Sequence, residues 1–186
     1  MPNDLQSLLF SEKCLDPDYY VVSAACFVEN EFLKEVASYN RKTLFRIGGA
    51  LLGEIESAIN IFRESGNNKI ILLHGFQNYP TKLEETNISQ LKVLRELFDV
   101  EVGLADHIDG SDSLAKIIPI LSVCYDANYI EKHITLDRET KSEDFESALD
   151  PIQFMEFVQN VRSAETAVGK SSFDKLSEAT LRYRNI

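Results

Sequence analysis

Five short runs rich in β-branched and aliphatic residues recur along the chain, separated by stretches with helical patterning. The runs are YYVVSAA from Tyr19, KTLFRIG from Lys42, KIILLHGF from Lys69, VEVGLADH from Val100 and NYIEKHITL from Asn128. Their starts lie 23, 27, 31 and 28 residues apart. Repeated βα units impose this rhythm, because a parallel strand needs a crossover before its neighbour can pair. Most of the runs are continuously apolar rather than alternating, as strands covered on both faces or closed into a barrel require. A complete βα-barrel needs eight strands and typically about 250 residues, with about 200 as a lower bound. The chain has 186. The spacing therefore predicts an α/β fold of about five βα units. It is either an open five-stranded sheet or the last five units of an incomplete TIM-barrel-derived parallel repeat.

The intervening stretches carry helix signals. Gly48 and Gly49 lead into LLGEIESAINIFRESG, where Leu52, Ile55, Ile59 and Phe62 share one helical face and Gly66 supplies a C-terminal stop. In NISQLKVLRELF the stripe is Leu91, Leu94 and Phe98, with Asn87 or Ser89 placed to cap its start. After Pro151 a further helix is expected to turn Ile152, Met155, Val158 and Val161 inward. Residues 1–169 are thus expected to form the barrel portion and 170–186 a polar C-terminal tail.

Composition narrows the function classes. With 19 Lys and Arg against 30 Asp and Glu, the net charge is −11, which excludes a nucleic-acid partner on electrostatic grounds. The longest apolar runs fall far short of the roughly 20 residues that span a bilayer. The acidic N-terminal stretch MPNDLQSLLFSEKCLDPD does not resemble a signal peptide, so a cytoplasmic chain without a membrane partner is expected. Cys14, Cys26 and Cys124 form no C-x-x-C pair and are expected to be reduced and mostly buried.

The chain has three histidines, and each closes a predicted strand: His74 after IILL, His107 after VGLAD and His133 after YIEK. Strand carboxyl ends form the rim where α/β folds build their sites. Neutral imidazoles converging there suit a transition metal. His74 stays open between a structural and a site role. Glu131 and Lys132 are charges in an otherwise apolar strand, where they need partners. Alternation puts Lys132 on the face opposite Glu131 and His133. No G-x-x-x-x-G-K-[ST] or G-x-G-x-x-G motif occurs, and the Gly48-Gly49 pair fits either a tight turn or an anion-binding helix start.

The ordered segments KIILLHGFQNYPT, VEVGLADH and IEKHITLD, with Asp144 and SALDP behind them, resemble the sialic acid synthase family, phosphoenolpyruvate-dependent N-acetylneuraminate synthases. The likeness runs from about Tyr19 through KLSEATLRYRN. It implies a βα-barrel enzyme that condenses phosphoenolpyruvate with an aldehyde sugar such as N-acetylmannosamine, releasing phosphate and using a divalent metal, manganese or else magnesium. By the same resemblance His107 and His133 correspond to the metal ligands, Asp144 to an acid near metal and sugar, and Tyr79 to the sugar-side tyrosine of the YPT motif.

Departures fall mainly on the anion side. Where the family has a lysine, a serine and an acid in K-x-x-S-G-E, this chain has Val21, Ala24 and Cys26. Its S-T-G is replaced by Arg46-Ile47-Gly48, its asparagine before the YPT tyrosine by Gln77, and its serine before D-H by Ala105. Arg46 and Gln77 are therefore the candidate anion contacts, Arg46 as a replacement cation. With so acidic a chain any anion site must be locally positive, and Arg46, Lys132 and Arg138 are the cations near strand ends. Two readings follow: a nonulosonic acid synthase, or a truncated non-catalytic homologue, equally half of a split synthase. In either, a second copy or a partner chain is expected to cover the open barrel.

Overall fold

The computed structural model describes residues 1–169 and 176–184. Helix α1 (Leu5–Leu15), which the sequence reading did not place, opens on an Asp4 cap whose carboxylate accepts the Ser7 amide at 2.7 Å. Strand β1 (Tyr19–Ser23), α2 (Asn30–Ser38), β2 (Lys42–Arg46), α3 (Leu52–Glu64), β3 (Ile70–His74), α4 (Gln90–Phe98) and β4 (Glu101–Asp106) follow. The next crossover holds the one-turn α5 (Ile118–Leu121) between two 3-10 turns, Ser113–Lys116 and Ser122–Tyr125, then come β5 (Ala127–Lys132), α6 (Pro151–Val168) and α7 (Glu178–Arg184). All five strands are parallel and lie in sequence order, β1-β2-β3-β4-β5. A barrel is built by this order, each unit beside its predecessor.

Strand alternation separates two cores. Tyr20, Val22, Phe45, Ile70, Leu72 and Val102 point outward and pack beneath the helices, where Phe45 meets Phe62 edge-on at 4.9 Å. Leu44, Ile71, Leu73 and Ala105 point inward, joined by the half-buried Val21 and Tyr129. The sheet curls around this inner set. Lys42 Nζ donates to the Tyr129 hydroxyl at 2.6 Å, and Arg46 Nη2 lies 2.6 Å from Glu131 Oε1. Both contacts run from β2 to β5, strands that would stand about 14 Å apart in a flat sheet. The concave side encloses a cavity of about 290 Å³.

Several local expectations need correction. Leu52 is exposed, so the buried stripe of α3 begins one turn later with Ile55, Ile59 and Phe62, and Gly66 ends it in the left-handed region at φ +81°. The α4 stripe is buried as expected, but neither Asn87 nor Ser89 caps it through its side chain. On α6, Ile152, Met155 and Val158 are exposed; Phe157 is buried, with Phe154 and Val161 packed beside it. The two stripes are equally periodic, and the aromatic one packs inward. Of the cysteines only Cys26 is buried, while Cys14 and Cys124 are exposed free thiols. The expected tail falls partly on residues 170–175 and 185–186, outside the described residues; within it Glu178–Arg184 is helical. No helix among the described residues is long and apolar enough to cross a membrane.

Candidate active site

Glycines let the strand ends approach closely enough to form a continuous rim. A Cβ on Gly48 would sit 2.2 Å from the Gly75 carbonyl oxygen, and one on Gly75 would sit 2.0 Å from that of Ala105. These distances admit no side chain, so β2, β3 and β4 end in direct backbone contact. The Gly48-Gly49 pair is accounted for by this packing and by a tight turn, with Gly49 at φ +85°.

Two of the three histidines meet on the rim. The His107 and His133 rings lie 5.1 Å apart, and Tyr79 stands edge-on to both at 4.9 and 5.5 Å. Asp144 Oδ2 lies 3.6 Å from His133 Nδ1. His107 is buried, and neither of its ring nitrogens has a hydrogen-bond partner. Burial, followed by the neighbouring His133, pushes its pKa down to about 4, so it is a neutral donor at neutral pH. Burial likewise raises the Tyr79 phenol, assisted by the Asp144 charge. Buried polar atoms without partners are uncommon in native proteins and mark a place where a water, ion or ligand is expected.

The rim is held by backbone contacts that the sequence did not reveal. The His107 carbonyl accepts from the Thr81 amide at 2.8 Å and from the buried Ser147 hydroxyl at 2.7 Å, which fastens the Tyr79 loop and the Asp144 loop to one point. The His133 carbonyl accepts from the Leu149 amide at 3.0 Å. Beneath, on the outward face, Lys132 and Asp106 form a fully buried ion pair with Nζ to Oδ2 at 2.5 Å. Each partner immediately precedes one of the histidines, and the pair ties β4 to β5.

The open case of His74 and the candidates Gln77, Arg138 and Lys132 resolve away from the histidine pair. His74 points outward, is buried, and contacts the Thr86 carbonyl through Nε2 at 3.0 Å, a structural role. Gln77 is exposed and lines a separate open hollow with Asn3, Asp4 and Cys26, away from the histidines. Arg138 holds its own loop, bonding the Phe145 and Glu146 carbonyls and Asp109. Lys132 is committed to Asp106, which leaves Arg46, bound to Glu131 on the concave face, as the strand-end cation that faces the histidines.

Fold and site together define a class of protein: a parallel βα-barrel arc with a histidine pair on the carboxyl-end rim of its last two strands. The chain belongs to the NeuB family, whose model matches residues 1–173. It is 34% identical over 172 residues to the pseudaminic acid synthase of Campylobacter jejuni, covering 92% of this chain and 48% of that one. Among solved structures it is similar to the sialic acid synthetase of Leptospira borgpetersenii, with a TM-score of 0.85 and 24% identity over 98% of this chain and 62% of that one. The spore coat polysaccharide biosynthesis protein SpsE of Bacillus subtilis matches at TM-score 0.85 and 27% identity, over 97% and 49% of the two chains. The chain thus spans about half the length of the curated relatives it matches.

Proposed function

We propose that this chain forms the metal-side portion of a nonulosonic acid synthase, which joins C3 of phosphoenolpyruvate to the aldehyde carbon of an amino sugar such as N-acetylmannosamine and releases phosphate. The observation that carries the reading is His107, buried and unpartnered at both nitrogens, facing His133 between Tyr79 and Asp144. A facing pair of imidazoles suits a transition ion with open positions, and of the two candidate ions Mn2+ accepts nitrogen more readily than the oxygen-preferring Mg2+. Among the described residues no group of three or more His, Cys, Asp or Glu side chains is gathered for a metal. Water and substrate oxygens would therefore complete the shell, as in catalytic rather than structural sites. When bound, the ion supplies Lewis-acid polarisation of the aldehyde oxygen.

The remaining work falls to the chain itself. Tyr79 walls the site beside both rings and offers its protonated hydroxyl to a sugar oxygen. Asp144 accepts hydrogen bonds from sugar hydroxyls beside His133, whose Nδ1 lies 3.6 Å from its carboxylate. Arg46 is the candidate contact for the enol's carboxylate or phosphate. We further propose that three more βα units, in the same polypeptide or on a partner, close the arc and complete the substrate side.

The non-catalytic reading has its own support. Val21 lies in the apolar inner face, and Cys26 is buried against the Asn3 carbonyl, so none of the positions that resemble the family's K-x-x-S-G-E offers a cation or carboxylate. Calorimetric titration with Mn2+, with and without phosphoenolpyruvate, separates the two. The synthase reading expects metal binding that phosphoenolpyruvate tightens. Metal binding indifferent to phosphoenolpyruvate favours the non-catalytic homologue.

A further inference from the structure

Arg46 and Glu131 do not belong to neighbouring strands. They reach over β3 and β4 and meet on the concave face, where Glu131 stands two residues before His133 and alternation turns both to the same side of the sheet. Glu131 takes one terminal nitrogen of the guanidinium, while the Nε of Arg46 is buried with no partner. A guanidinium presents a planar fork suited to two parallel bonds with one oxyanion. Here that fork is only partly used. The other strand-end cations are committed elsewhere, so an anion arriving beside the histidines meets Arg46 and finds Glu131 already on it.

We propose that Glu131 is a specificity-determining counter-ion. It occupies Arg46 until the carboxylate or phosphate of an anionic substrate displaces it, so neutral sugars cannot engage this part of the site and weak anions compete poorly. Displacement exchanges a single-contact ion pair, about a quarter exposed on each side, for a forked one that also satisfies Nε. The inference rests on the synthase reading for the identity of the anion, phosphoenolpyruvate, but not for the existence of the pair.

Titrations of the chain with phosphoenolpyruvate, and separately with inorganic phosphate, test it. Glu131→Gln keeps the shape and a hydrogen bond while removing the charge, and is expected to bind phosphoenolpyruvate about tenfold more tightly than wild type. Glu131→Asp, which keeps the charge on a shorter stem, is expected to fall between them and guards against misfolding of the first variant. Arg46→Gln and the Arg46→Gln/Glu131→Gln pair are expected to lose the anion altogether. Unchanged or weaker binding by Glu131→Gln, or wild-type binding by Arg46→Gln, would overturn the proposal. Mn2+ titration of the same variants keeps the two readings apart: intact metal binding with an anion affinity indifferent to Glu131 sinks the counter-ion and leaves the metal site standing. Loss of metal binding with the predicted anion series does the reverse.

Discussion

A single side chain sets much of what this rim can do. Lys132 and His133 are adjacent in β5 and point in opposite directions, one into a fully buried pair with Asp106 and the other into the site. Removing one member of a buried pair strands the other's charge, so Lys132→Met is expected to cost about 3–5 kcal/mol in a urea unfolding experiment. Asp106→Leu/Lys132→Met should recover most of that loss; equal losses would show that the pair is not the cause. Protonation offers a second test. Burial lowers the proton affinities of both His74 and His107 below the ordinary histidine value of 6.5, so below that pH the unfolded chain binds more protons than the native one. Their contribution to stability is complete above pH 6.5 and declines as the pH falls, for His107 down to about 4. His74→Gln should therefore lose less stability between pH 7 and pH 5 than wild type does; an identical loss would contradict this assignment.

At the level of elements, strands were the most legible feature, because runs such as KIILLHGF carry a β-branched and aliphatic signal that no nearby helix pattern imitates. Helix faces were less so. On α6 two stripes of identical period compete, and only the packing of Phe154 and Phe157 decides between them. Three of the four residues that meet on the rim stand within motifs readable in the sequence and Asp144 follows the last of them, whereas Thr81 and Ser147 act through the His107 carbonyl, a main-chain contact with no sequence signature. Gln77 shares a loop with Tyr79 yet faces another hollow, since neighbours in a loop need not share a direction. The glycine contacts between strand ends make a sharp prediction at this scale. Gly75 combines φ +144° with a 2.0 Å clash for any Cβ, so Gly75→Ala should lower stability by about 3 kcal/mol and loosen the Tyr79 loop. An alanine variant that melts with wild type would show that the strand ends can separate at little cost.

For the molecule as a whole, the arc leaves β1 and β5 each paired on one side only. Apart from the buried Lys132 side chain, the residues of β5 are at least partly exposed, whereas β3 is buried throughout. Hydrogen exchange is therefore expected to be slowest in β3 and fastest among the strands in β5, and uniform protection across all five would mean that something already covers the edges. Exposed apolar residues flank both ends, Leu9 and Phe10 on α1 and Ile152 and Met155 on α6. These are the flanks against which further βα units would pack. The rim site needs none of those units to bring its histidines together, and this makes the central claim accessible in the chain as it stands. Calorimetric titration with Mn2+ should show one ion bound per chain, with His107→Ala/His133→Ala abolishing the binding while leaving the circular dichroism spectrum unchanged. Binding that survives in the double variant, or no binding by the wild-type chain at micromolar concentrations, would contradict the account.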